Sequence, residues 1–134
     1  ELIIDYNQRS FGKFKADGVV VATSTGSTAY SAAAGGPIVD PAIDAFVLSP
    51  ICPFSLSNRP LVLNSDGKLT IKVLPSRGAE IVLSCDGQEI IKLMSDDIII
   101  MEKNKEKALL VGCDSSVFYS ALQSKLNWSG GPNA

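Results

Sequence analysis

Residues 17–37 read DGVVVATSTGSTAYSAAAGGP. The stretch opens on an apolar run, Val19-Val20-Val21-Ala22, that reads as a strand. It passes into the polar turn Thr23-Ser24-Thr25-Gly26-Ser27-Thr28. Small residues of good helix propensity follow, Ala29 to Ala34, and Gly35-Gly36-Pro37 stop them. A strand feeding a hydroxyl-rich turn and a helix start has the makings of an anion and ribose site. The N–H groups of a helix start lack intrahelical partners, and the helix dipole favours negative charge there. Hydroxyls of Thr25, Ser27 and Thr28 add donors and acceptors at the same place. The same residues serve equally as a strand ending in a Ser/Thr-capped helix.

Outward from this stretch, alternation and turn residues predict short strands. Leu2–Ile4 is one, and residues 6–16 read as a loop or an abbreviated hairpin around Gly12. Ala45–Ser49 is a continuous apolar run and reads as a buried strand. Pro50 and Pro53 then predict an ordered loop without ladder bonding. Asp66-Gly67, between Leu61–Leu63 and a strand in which Leu69, Ile71 and Val73 alternate with Thr70 and Lys72, predicts a hairpin. Residues 76–78 turn the chain. Strands are expected over 79–85, 88–93, 97–101 and 108–111, with a second tight turn at Asp86-Gly87. From Ser115 to Trp128 the spacing of Val117, Ala121, Leu122, Lys125 and Trp128 predicts an amphipathic helix, capped by Asp114 or Ser115. The expected fold is mainly β: a two-layer antiparallel sandwich-like domain, a short helix after the TGSTAYS turn, and a C-terminal helix.

Composition narrows the function. The chain has 134 residues, 46% of them apolar and 19% charged, which suits one globular domain over residues 1–134. A net charge of −2, with Lys103, Lys105 and Lys107 alternating with Glu102 and Glu106, argues against a nucleic-acid module. No apolar run is long enough for a membrane helix. Cys52, Cys85 and Cys113 stand far apart in apolar contexts, expected as buried, reduced thiols of a cytoplasmic protein, and none has the CxxC spacing of a zinc site. The sequence contains no histidine, which excludes Ser-His-Asp and Cys-His nucleophilic schemes. The first residue is Glu, so a piece of a longer protein is expected.

Three strings occur in order: DGVVVATSTGSTAYSAAAGGPIV, LSPICPFSLSNRPLVL and SCDGQ. Together they resemble the C-terminal domain of the NAD kinases over nearly the whole chain, from Glu1 to about Trp128. The related lipid kinases share the fold but match these strings poorly. The resemblance implies phosphorylation of the 2′-hydroxyl of the NAD adenosine ribose to form NADP. ATP or polyphosphate would be the donor, Mg²⁺ or another divalent cation would accompany ATP, and the protein would be a homo-oligomer, dimer or tetramer.

It also implies roles residue by residue. Glu1 falls at the Glu of an Asn-Glu pair that contacts the adenine-bearing part of NAD. Asp17 matches a position near the nicotinamide amide, in some members reached from a neighbouring subunit. Thr25, Thr28, Ala29, Tyr30 and Ala33 match positions lining the nucleotide site. Asp86 matches an acidic position near the reacting ribose. These chemistries agree in kind with the residues: a carboxylate accepts from an amide, a hydroxyl bonds phosphate or ribose, and a tyrosine ring stacks.

The chain also departs from the family. The Gly-Gly-Asp-Gly motif of the family's N-terminal α/β domain, whose Asp is taken as the base on the 2′-hydroxyl, is absent, so no catalytic base and no metal ligand is assigned here. The stretch between Asp5 and Asp17 is shorter than the family's. Phe54 stands where His is frequent, Asn58 where Phe is frequent, and Ser24 where Pro is common. Two alternatives stay open: a non-catalytic β-rich assembly or binding module built on loop 50–60 and the strands, and a related lipid kinase domain.

Overall fold

The computed structural model describes residues 1–76, 78, 80–106, 108–109, 111 and 115–126, and among them the apolar runs, together with one polar stretch, form nine strands. They are β1 (Leu2–Tyr6), β2 (Arg9–Phe14), β3 (Gly18–Thr23), β4 (Ala45–Ile51), β5 (Leu61–Asn64), β6 (Leu69–Val73), β7 (Ile81–Cys85), β8 (Glu89–Leu93) and β9 (Ile98–Met101). A 3-10 turn, Thr25–Thr28, and a one-turn helix α1 (Tyr30–Ala33) follow β3, and helix α2 (Ser115–Leu126) comes last. The chain divides into two units, residues 1–103 and 104–134.

In the first unit all pairing is antiparallel. One sheet has the order β2-β1-β6-β9, a second β3-β4-β5, and β7-β8 forms a separate ribbon. The two larger sheets face each other across one core. Ile4 of β1 and Leu69 and Ile71 of β6 meet Leu48 of β4, flanked by Val19 and Val21 of β3 and Ile99 and Met101 of β9. The expected mainly-β, sandwich-like class is therefore borne out. In β6, Leu69, Ile71 and Val73 are buried while Thr70 and Lys72 are not, as the alternation requires. β4 is buried from Ala45 to Pro50, which explains its unbroken apolar run.

Of the two readings of residues 6–16, the hairpin is the one that forms: β1 pairs with β2 (Arg9–Phe14) across Asn7 and Gln8, which both take positive φ, 49° and 64°. Phe11 and Gly12 lie where the β1–β2 register shifts beside Ile4, a β-bulge. Other expectations are corrected. Pro50 is not in a loop but within β4, opposite Val19. β5 begins opposite Leu48 and runs away from Pro50, so β4 has an open side there, where a proline is tolerated in a strand.

Asp66-Gly67 does not close a hairpin, because β5 and β6 belong to different sheets. The turn carries the chain from one layer to the other. Gly67 is required by the ring of Tyr6, since a Cβ there would stand 2.2–2.4 Å from Tyr6 ring and hydroxyl atoms. The Tyr6 hydroxyl donates to the Asn64 carbonyl at 2.7 Å and holds the ring in place. Asp86-Gly87, by contrast, is the tight β7–β8 turn expected, with both residues at positive φ. Cys52 and Cys85 are exposed free thiols rather than buried ones, because each sits where its strand ends; Cys113 lies outside the described residues.

In the second unit, α2 is half-buried at Phe118, Ala121 and Leu122, and the Phe118 and Tyr119 rings meet edge-on at 5.4 Å. Ala108, Leu109 and Val111 are not in a strand, and Leu110 of the expected last strand lies outside the described residues, as do Asp114 and Trp128. Among the described residues no helix is long and apolar enough to cross a membrane.

Candidate nucleotide site

β3 ends at Thr23, and the chain turns at once. The Thr23 hydroxyl accepts from the Gly26 N–H at 3.2 Å, and the N–H groups of Ser27 and Ala29 bond back to Ser24 and Gly26. The expected helix is one turn long. Neither Ser24 nor Ala29 caps it through a side chain, so the site has no long helix dipole and no Ser/Thr cap behind it. The chain leaves through Gly36, whose N–H donates to the Ser31 carbonyl at 2.8 Å.

Within this segment the side chains divide by direction. Ser24, Ser27 and Ser31, spaced by three and four residues, are buried. The Ser24 hydroxyl donates to the Ile43 carbonyl. The Ser27 hydroxyl accepts from the Val39 N–H at 2.9 Å, and the Ser31 and Ser49 hydroxyls pair at 2.8 Å. Ser27, taken from the sequence as a donor to ligand, is instead engaged inside the protein. The outward set is Thr25, Ala29, Tyr30 and Ala33, with Thr28 half-buried beside them. Tyr30 is 66% exposed, so its ring is a free face rather than a core aromatic. The Thr28 hydroxyl donates to the Thr25 carbonyl at 3.4 Å and keeps acceptor capacity. Beside Thr23 opens a cleft of about 320 Å³, mostly apolar, lined by Val21, Phe46, Ile100, Met101 and Glu102.

The structure brings together Thr25, Thr28, Ala29, Tyr30 and Ala33. It does not bring Asp17 to them. Asp17 precedes β3 and the turn follows it, so six extended residues, about 20 Å, separate the two. Asp17 is exposed, and its N–H is held by the Ile51 carbonyl at 3.0 Å. Glu1 precedes Leu2, whose ladder partner is Phe14, so Glu1 stands toward the Asp17 end of the sandwich. Asp86 is exposed at the tip of the β7–β8 ribbon, with φ 50°. Sequence reading missed Ser24, Ser31 and Ser49 as the residues that hold the turn. The three-and-four spacing of Ser24, Ser27 and Ser31 was the available signal.

Residues 1–113 match the family model described as the ATP-NAD kinase C-terminal domain. The chain belongs to that family. It is 59% identical over 129 residues to the NAD kinase of Treponema denticola, covering 96% of this chain and 45% of that protein. It is 54% identical to the NAD kinase of Treponema pallidum, covering 93% of this chain and 41% of the relative. The chain thus spans less than half the length of the curated NAD kinases it matches. Among solved structures, it resembles yeast NADH kinase complexed with NADH, with TM-score 0.75 and 29% identity over 97% of this chain and 40% of that one. It also resembles an NAD kinase from Archaeoglobus fulgidus in complex with ATP, with TM-score 0.67 and 30% identity over 78% of this chain and 39% of that one.

Proposed function

We propose that this chain is the dinucleotide-binding part of a cytoplasmic NAD kinase, which transfers the terminal phosphoryl group of ATP to the 2′-hydroxyl of the NAD adenosine ribose. The observation that carries the reading is the outward set Thr25, Thr28, Ala29, Tyr30 and Ala33, presented on a turn whose serines face inward. Solved relatives bound to NADH and to ATP support the same ligand classes.

Phosphoryl transfer depends on positioning and on electrostatic stabilisation of the phosphoryl oxygens. Positioning is the task of these residues. The Tyr30 ring stacks on a planar ring of the dinucleotide, and the hydroxyls of Thr25 and Thr28 bond its ribose or phosphate oxygens. Ala29 and Ala33, having no bulk, let the ligand approach the backbone. The Asp17 carboxylate accepts from the carboxamide N–H₂, Glu1 contacts the adenine-bearing part, and Asp86 orients the 2′-hydroxyl. The distance from Asp17 to the turn favours a homo-oligomer, dimer or tetramer, in which Asp17 serves the site of a neighbouring subunit. The base on the 2′-hydroxyl is supplied by polypeptide outside these residues.

Among the described residues no three His, Cys, Asp or Glu side chains cluster to hold a metal ion. The divalent cation is read as part of the ATP substrate, carried on its phosphates.

Titration of the intact protein with NAD by calorimetry tests the reading. Tyr30→Ala should weaken NAD binding about twofold to tenfold through loss of stacking, and Asp17→Ala should weaken it as well. Unchanged affinity in both variants would overturn the site. A protein that acts only in assembly would give no binding heat at all.

A further inference from the structure

The outward residues of the turn are placed by the inward ones, and a buried side-chain hydrogen bond joins α1 to β4 behind it. Ser31 lies on α1 and Ser49 in the middle of β4, and both are essentially without solvent exposure, 1% and 0%. Their hydroxyls pair at 2.8 Å. Gly36 covers the pair: a Cβ at this position would stand 2.3 Å from the Ser49 Oγ, 2.5 Å from the Ser31 Oγ and 2.8 Å from the Ser31 carbonyl oxygen. Only a residue without a side chain lets the returning chain close over the two hydroxyls. Tyr30 precedes Ser31 directly, and Ala33 lies two residues beyond it, so both flank the anchored residue.

We infer that the Ser31–Ser49 hydroxyl pair, sealed by Gly36, is a positioning device for the dinucleotide: it sets where Tyr30 and Ala33 stand relative to β4 and thereby sets NAD affinity. The inference rests on the proposed NAD-binding reading of this turn. Ser31 and Ser49 are buried away from any ligand and act through the residues they hold. Other inward bonds of the segment, Ser24 to Ile43 and Ser27 to Val39, tie the turn to the connection before β4. Ser31–Ser49 is the bond that ties it to the strand itself.

The chemistry of an orphaned hydroxyl makes the test decisive. Truncating one serine leaves its partner buried without a hydrogen bond, which is costly, whereas truncating both removes both polar groups and is close to neutral for stability. Ser31→Ala, Ser49→Ala and the double variant are made in the intact protein. NAD affinity is measured by calorimetry well below the Tm of every variant, with Tm and the KM values for NAD and ATP measured alongside. The single variants should lower Tm, and the double variant should regain most of the loss. In all three NAD binding should weaken about fivefold to tenfold, the scale of one lost hydrogen bond, with KM for ATP unchanged. A purely structural pair predicts the opposite for the double variant, namely NAD affinity returning together with Tm; that result overturns the inference. If one single variant fails to fold, the other and the double variant decide in the same way. Wild-type protein that binds no NAD would overturn the proposed function, and this inference with it. Wild-type binding that none of the three variants weakens would overturn the positioning role alone.

Discussion

Tyr6 and Gly67 illustrate how one residue pair can pass for another kind of feature in the sequence. Asp66-Gly67 has the form of a hairpin turn, yet Gly67 does not take positive φ and the flanking strands do not pair. It is glycine because the Tyr6 ring lies on it. Gly67→Ala should therefore act as an overpacking change, lowering stability by ~1–3 kcal/mol, read as a fall in Tm. If an alanine there left Tm untouched, the ring contact would not be what selects glycine. The inward serines carry the same lesson. The sequence displays five hydroxyl residues between Thr23 and Thr28 around one glycine, and periodicity alone says nothing about which face the protein keeps for itself. Burial decides it: Ser24 and Ser27 are enclosed, while Thr25 is exposed.

Among the elements, the β1–β2 hairpin has a turn that carries strain. Gln8 takes φ 64°, a left-handed conformation that disfavours a side-chain-bearing residue by about 1–2 kcal/mol. Gln8→Gly removes that cost but adds unfolded-state entropy worth about 0.4–1 kcal/mol. The expected outcome is a net gain of at most about 1.5 kcal/mol, the difference of these two effects, measured by denaturant unfolding. A loss of stability would mean that the Gln8 side chain contributes more than its backbone costs. β4 shows why proline was misleading at this scale. The residue type forbids ladder bonding on its N–H side, but only the length of β5 reveals that β4 has an open side by Pro50.

At the scale of the first unit, Lys103 joins three segments far apart in sequence. Its ammonium group donates to Asp44 at 2.6 Å, just before β4, and stands 3.5 Å from Asp66 in the turn that joins the two sheets. The Asp44 hydrogen bond and the two carboxylate charges hold the Lys103 pKa above its usual 10.5, against the opposing effect of burial. A group whose pKa is raised on folding contributes stability that is present in full below its unfolded value. That contribution disappears as pH rises through the folded value. Lys103→Met should accordingly lower Tm at neutral pH, with the difference from wild type shrinking above about pH 10.5 and in high salt. A Tm difference independent of both pH and salt would assign the effect to packing of the lysine stem instead.

Local chemistry was sufficient for part of this protein. The alternation in β6, the apolar run of β4, the Asp86-Gly87 turn and the strings shared with the NAD kinases are properties of neighbouring residues, and neighbouring residues determine them. Which strands share a sheet, which hydroxyls are enclosed and which candidate residues meet were decided only by tertiary structure. Those outcomes depend on surfaces contributed from distant parts of the chain. Thr25 to Ala33 were legible as one group because they are contiguous. The separation of Asp17 from them became visible only when β3 was extended between the two, since a strand places its ends at opposite edges of the layer however close they lie in sequence.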